Sequence, residues 1–441
     1  MTMKYYSTNH NSPDVTLAEA VVKGLAPDRG LYMPERIERL PKEFFDNIGE
    51  MSFHEIACRV ARAFFGEDIP VDRLDSIVCD TLSFPTPVVK VEPGIYSLEL
   101  FHGPTLAFKD VGARFMARIL QHFIKIGDDR RKVNVLVATS GDTGSAVANG
   151  FLGIDGINVH VLYPKGKVSP VQECQFTTLG RNITAIEVDG VFDDCQRLVK
   201  SAFLDKELND RLLLTSANSI NVARFLPQAF YYFNAYSQLK KAGAGESIVM
   251  CVPSGKFGNI TAGLIAHRMG LPVKRFIAAN NANDVFFNYL QNGVYEPKAS
   301  VSTIANAMDV GDPSNFARIL DLYGNDHDRI TSLISGTTYS DGLISATMAD
   351  CFDRTGYLLD PHGAVGYRAL KQLLLPGEVG VFLETAHPAK FKDTVESMVN
   401  TTVEMPARLY AFMRGTRQTI PMTSEFSDFK SYLRNCSNLI Q

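Results

Sequence analysis

Phe101-His-Gly-Pro-Thr-Leu-Ala-Phe-Lys-Asp110 is a Pro-bearing turn that runs through an apolar pair into a lysine and an aspartate. After it, Phe115, Ile119, Leu120 and Phe123 recur at spacings of three and four, which predicts an amphipathic helix over Val111 to Lys125. Asp110 is expected as its N-cap, because an Asp side chain can accept one of the helix's orphan N–H groups. Lys109 then stands at a loop-to-helix junction between apolar neighbours. Such a place strips water from an amine, lowers its pKa and suits it to Schiff-base chemistry. A surface lysine at a helix start would leave the same local pattern, so the rest of the chain has to decide.

Outward from this stretch, short apolar strands alternate with helices. Val88 to Val91 and Ile95 to Phe101 read as strands joined by a turn at Pro93-Gly94. Strands are expected at Val133–Ala138, Asn158–Tyr163, Ile183–Val188, Ser247–Val252, Val273–Ala278 and Val379–Glu384. Helices are expected at Ser145–Leu152, Val171–Leu179, Phe192–Leu208, Val222–Lys241 and Ile260–Met269. This alternation predicts βαβ units and parallel sheets covered on both faces. The pattern weakens over 295–345, which reads as loop-rich or a lid. The N-terminal stretch differs: Leu17–Leu25 and Phe53–Phe65 carry helical periodicity around a Pro- and Gly-punctuated segment, Ala26–Pro41, with no catalytic constellation.

In open parallel sheets, ligands sit beyond the carboxyl ends of the strands. Three unusual turns fall there. Ala138-Thr-Ser-Gly-Asp-Thr-Gly144 and Pro253-Ser-Gly-Lys-Phe-Gly-Asn259 each join a strand to a helix, and small residues let their N–H groups converge on an anion. Lys256 adds a cation to the second. The third, Thr385-Ala-His-Pro-Ala-Lys-Phe391, carries Pro388 where a helix would begin. One such turn alone is most simply a tight connection. Two anion-type turns beside an activated lysine suggest pyridoxal phosphate: one loop for the cofactor phosphate, another for a substrate carboxylate. Neither turn matches a P-loop or a dinucleotide fingerprint.

The totals narrow the class. With 441 residues, 45% hydrophobic and 21% charged, the chain has room for two or three domains and a sizeable core. A net charge of −4 gives no basic balance for nucleic acid or an anionic membrane, and no apolar run is long enough to span a bilayer. The N-terminus lacks the apolar core of a signal peptide. Seven scattered cysteines without a Cys-x-x-Cys pair point to a reducing compartment, the cytoplasm, and away from disulfides or zinc. Nine histidines form no His-Glu-x-x-His motif, so no metal site is expected. Nothing in the chain fixes an oligomeric state.

These motifs resemble the pyridoxal-phosphate enzymes of fold type II, the tryptophan synthase β family, and within it the threonine synthases of bacterial and fungal type. Gly103-Pro-Thr-Leu-Ala-Phe-Lys-Asp110 resembles the lysine motif and Ser140-Gly-Asp-Thr-Gly144 the substrate-carboxylate loop, with Asp142 where many relatives have Asn. Ser254-Gly-Lys-Phe-Gly-Asn259 resembles the cofactor-phosphate loop, with Lys256 where Asn is commoner. Ser216-Ala-Asn-Ser-Ile-Asn-Val-Ala-Arg224, Asn306-Ala-Met-Asp309 and Thr385–Phe391 also match, so the likeness covers nearly the whole chain.

The resemblance implies an α/β fold of two doubly wound parallel-sheet lobes over 86–441, after a small, mainly helical N-terminal domain over 1–85. It implies conversion of O-phospho-L-homoserine and water to L-threonine and phosphate. Lys109 would carry pyridoxal 5'-phosphate and shuttle protons. Gly255, Lys256, Phe257, Gly258 and Asn259 would hold the cofactor phosphate, and Thr385 would face the pyridine nitrogen. Ser140, Gly141, Asp142, Thr143 and Gly144 would hold the substrate carboxylate. Arg224, assisted by Asn218 and Asn221, is the candidate for the substrate phosphate, because its forked donors suit a phosphate. Lys165 and Lys167 read as solvated. Another fold-type-II lyase, or a catalytically silent cofactor-binding protein, would carry many of the same motifs.

Overall fold

The structure is a computed structural model that describes residues 2–127, 129 and 131–438. Among these, the strands run in chain order β1 (Tyr5–Ser7), β2 (Tyr32–Pro34), β3 (Val88–Glu92), β4 (Ile95–Glu99), β5 (Val133–Ala138), β6 (Ile157–Pro164) and β7 (Ile183–Val188). They continue with β8 (Leu213–Ser216), β9 (Ile248–Pro253), β10 (Val273–Asn280), β11 (Ile334–Thr338), β12 (Val379–Glu384) and β13 (Ile420–Met422). Two larger sheets form the α/β body. One has the order β11-β10-β9-β12-β4-β3 and is parallel except for the β3–β4 hairpin. The other has the order β13-β7-β6-β5-β8 and is parallel throughout. Every residue of β5 and β9 is buried, as strands covered by helices on both faces must be. The chain therefore passes between the two sheets three times: after β4, after β8 and after β12.

The N-terminal residues pair β1 with β2 antiparallel and add helices at Leu17–Lys23, Phe53–Phe65 and Val71–Thr81. Thr16 and Ser52 each close a capping box with a glutamate three residues on, Glu19 and Glu55. Their apolar faces join a core that runs without a break through Val21, Phe64 and Phe115 to Ile260 and Val381.

The expected bounds hold for Val133–Ala138, Ile183–Val188 and Val379–Glu384. Elsewhere the structure corrects them. Asp110 is not the N-cap; the helix spans Lys109–Ile126, and the buried Asp110 carboxylate accepts from Thr105 N at 2.9 Å and Thr105 Oγ1 at 2.5 Å. It pins the preceding turn back onto the helix, with Leu106 held left-handed at φ 58°. The expected helix Val222–Lys241 divides into Val222–Phe225, a 3₁₀ turn and Ala229–Lys241, because Pro227 lacks a donor. Phe192–Leu208 breaks at Asp205, whose side chain caps the next helix through Leu208 N. The weak region 295–345 contains helices Phe316–Leu322 and His327–Thr331 and the edge strand β11.

Candidate active site

The three turns named from sequence lie at the carboxyl ends of β5, β9 and β12, and the Lys109 turn follows β4. Two contacts fold them onto one another. Phe108 N donates to Thr385 O at 2.8 Å, and Ala107 bridges Ala386. Thr385 is thereby fixed beside the lysine. It is buried, and so is Glu384 before it. Burial, then the neighbouring Asp360, pushes Glu384 well above the ordinary carboxyl range.

Lys109 Nζ stands 4.0 Å from Asp142 Oδ2, and its side chain is 16% exposed. Burial pushes its pKa down to about 8; Asp142 opposes this, while Lys256, Lys390 and Arg224 add to it. These four charges come from separate stretches of chain, which places Lys109 at their meeting point.

Asp142 is the negative member. Its Oδ1 accepts from Lys390 Nζ at 2.6 Å and from Gln172 Nε2 at 2.8 Å. Burial opposes ionisation, yet Lys390 and then Lys109 hold Asp142 well below the usual carboxylate range. Lys390 Nζ also donates to Thr105 O at 2.9 Å, and its side chain is 0% exposed. One buried ammonium thus joins the Ser140–Gly144 turn of one sheet to the Thr385–Phe391 turn of the other. Sequence reading quoted Lys390 inside a motif and gave it no role. No local spacing links it to Asp142; only the fold brings the two together.

Both glycine-rich turns keep donors open. Among the described residues, the N–H groups of Gly255, Lys256, Phe257, Gly258 and Asn259 have no protein acceptor, nor do those of Ser140, Asp142 and Thr143. Phe257 sits left-handed at φ 64°, and its ring packs 4.4 Å from Phe286. A Cβ at Gly255 would lie 2.6 Å from Met308 Cα, so only glycine lets the Asn306–Asp309 turn close over the loop. His362, hydrogen-bonded through Nδ1 to Asp360 at 2.7 Å, accepts Ala307 N at Nε2 and holds that turn in place. These open donors and the desolvated amine fit a phosphorylated aldehyde. Asn259 is different in its side chain, which caps its own helix start through Ile260 N and donates to Pro253 O.

Arg224 is buried, and its Nη1 donates to Lys109 O at 3.1 Å, while Nε–H has no acceptor. Asn218 Oδ1 is likewise buried without a donor. Asn221 is committed elsewhere: its amide donates to Val21 O and Ser216 O, and its carbonyl caps Ala223 N. It ties the N-terminal helix to the end of β8 and has no donor left for a ligand. Lys165 and Lys167 are exposed. Among the described residues no cluster of His, Cys, Asp and Glu could hold a metal, and no helix is long and apolar enough to cross a membrane.

Comparison with known proteins agrees with this geometry. Residues 81–383 match the family described as pyridoxal-phosphate dependent enzyme, 4–82 the threonine synthase N terminus, and 363–432 the threonine synthase C-terminal region. The threonine synthase of Haemophilus influenzae is 44% identical over 98% of this chain and 99% of its own. The crystal structure of Escherichia coli threonine synthase superposes with a TM-score of 0.91 at 42% identity, covering 98% of this chain and all of that one. Threonine synthase from Brucella melitensis, solved with PLP bound, superposes at 0.93 with 34% identity, covering 99% of this chain and all of that one. With a lysine, two donor-rich turns and both flanking regions in register, the chain belongs to the threonine synthase family of pyridoxal-phosphate-dependent enzymes.

Proposed function

We propose that the site residues divide between them the conversion of O-phospho-L-homoserine and water to L-threonine and phosphate. The observation that carries this is the geometry around the buried Lys109: Asp142 stands 4.0 Å from its amine, Lys390 pairs with that Asp142 at 2.6 Å, and Arg224 donates to the Lys109 carbonyl at 3.1 Å, so cations outnumber the acid there. A substrate bearing both a carboxylate and a phosphate brings the missing negative charge.

When bound, pyridoxal 5'-phosphate supplies the electron sink that makes the substrate's α- and β-protons labile. Lys109 Nζ takes and returns those protons, a task for which a pKa of about 8 suits it. The open N–H groups of Ser140, Asp142 and Thr143 hold the substrate carboxylate, with Gly141 and Gly144 shaping the turn. Those of Gly255 to Asn259 hold the cofactor phosphate at a helix start. Thr385 offers the pyridine nitrogen a neutral hydroxyl. Arg224, assisted by Asn218, holds the substrate phosphate until it leaves; water then adds at the β-carbon. Asn221 supports this group as a strut. The division at 85/86 belongs to the same reading, supported by the β1–β2 pair and its helices, which precede β3. The cytoplasm is proposed as the location from the seven free cysteines.

Borohydride reduction of the cofactor-loaded protein, followed by peptide mapping, is expected to leave the pyridoxyl mark on Lys109. A mark on Lys256 or Lys390 would end this assignment. Threonine and phosphate are expected together from O-phospho-L-homoserine; 2-oxobutanoate and ammonia would instead indicate a dehydratase. Arg224→Ala is expected to raise KM for the phosphorylated substrate by about 30-fold or more, the scale of a lost charge-assisted bond, with cofactor affinity changed much less. Steady-state kinetics beside cofactor titration separates the two, and an unchanged KM removes Arg224 from the substrate site.

A further inference from the structure

Arg318, on the helix Phe316–Leu322, has a wholly buried side chain. A guanidinium taken out of water needs acceptors and a counter-charge. Acceptors it has. Nη1 donates to Ser219 O at 2.9 Å and Asn315 Oδ1 at 2.6 Å, and Nη2 to Tyr32 O at 3.1 Å and Ile220 O at 2.6 Å. Its plane stacks on Phe225, 3.9 Å from the ring centroid. A counter-charge is missing. Among the described residues no carboxylate pairs with Arg318, and its Nε–H has no acceptor. Burial pushes its pKa down to about 9, so the group is still a cation at neutral pH.

The charge lies directly behind the Ser254–Asn259 turn. Asn315, one of its acceptors, donates its own N–H to Lys256 O at 3.1 Å and its amide to Ser219 Oγ at 3.1 Å. A Cβ at Gly258 would stand 3.2 Å from Ser219 Cβ and 3.4 Å from Asn315 Nδ2. One side chain therefore ties β2 of the N-terminal region, the 216–221 loop and Asn315 to the turn whose N–H groups lack acceptors.

We propose that Arg318 is a positioning residue for phosphate recognition: it clamps the backing of the Ser254–Asn259 turn, and its counter-ion is the phosphate held there. This rests on the assignment of that turn to the cofactor phosphate. In a low-dielectric interior an unpaired cation acts on an anion without touching it, and a clamped loop keeps its donors aimed.

The test compares pyridoxal 5'-phosphate with pyridoxal, the same aldehyde without the anion, by equilibrium titration of the full-length apoprotein. Arg318→Met is expected to weaken pyridoxal 5'-phosphate by about tenfold or more and pyridoxal by less than about twofold. Arg318→Lys, which keeps charge without the fork, should fall between. Asn315→Ala cuts the link with the charge in place and should weaken the phosphorylated ligand by about three- to tenfold; it decides the matter if Arg318→Met does not fold. Equal losses for both aldehydes, or none, in Asn315→Ala and the folded Arg318 variants overturn the proposal. A wild-type protein that does not prefer the phosphorylated aldehyde overturns the assignment of the turn instead.

Discussion

Replacing Lys109 by alanine is expected to reduce turnover by on the order of 10⁴-fold or more, since one group serves as both cofactor anchor and proton carrier. The fold should survive. The lysine's folded pKa, about 8, lies below its ordinary value, so the native state binds its proton less readily than the unfolded chain does. That costs stability, fully so below pH 8, and the cost fades only as pH rises towards the ordinary lysine value. Apoprotein carrying Lys109→Ala should therefore unfold at an equal or higher urea concentration at neutral pH. The same pKa sets the pH profile of cofactor capture by the wild-type apoprotein. Only the neutral amine attacks an aldehyde, and its share climbs from about one tenth at pH 7 to about nine tenths at pH 9. Stopped-flow capture rates should rise about tenfold across that window. A flat profile, or an active Lys109→Ala enzyme, would refute the role given to this amine.

Lys390→Met is the second large effect. It takes from buried Asp142 its closest cation, leaving only Lys109 at 4.0 Å and the Gln172 amide, and breaking a buried pair from one side costs about 3–5 kcal/mol. It also leaves a negative charge in the turn where a substrate carboxylate is to dock. Stability in urea and kcat/KM should both fall, the latter by at least about 100-fold on the same energy scale. Asp142→Asn alone strands Lys390 in turn. The double variant Lys390→Met/Asp142→Asn removes both charges together and should recover most of the stability lost by Lys390→Met. Losses that simply add in the double variant would mean that the two side chains do not act as a pair.

Local chemistry made the site's main parts legible. The Lys109 turn and the Ser140–Gly144 and Ser254–Asn259 turns are short, glycine-bearing and placed after apolar strands, so chain order alone locates them. Lys390 and Arg318 were not legible in that way. Each acquires meaning from partners more than ninety residues distant, Asp142 and Tyr32, which no spacing rule connects. Asp110 misled because an Asp at a helix start usually caps it; here Thr105, five residues back, offered two donors to one carboxylate. β13 escaped notice because Ile420-Pro-Met422 is three residues long with a proline, a sequence that only an edge position against β7 makes into a strand. Strand β2 lay in the Pro- and Gly-punctuated segment between the two expected N-terminal helices, and the helix Val71–Thr81 in a stretch for which no element was expected.

The three passages of the chain between its sheets have a mechanical consequence. Lys109 lies on the first, Arg224 on the second and Lys390 on the third. When one sheet swings against the other, covalent crossings act as the pivot, and displacement grows with distance from it. The reactive amine and its companion cations thus sit near the axle, where spacing between them changes least. The Ser140–Gly144 turn, pinned through Asp142 to Lys390, stays close to that axle as well, so its open donors keep their place relative to the amine.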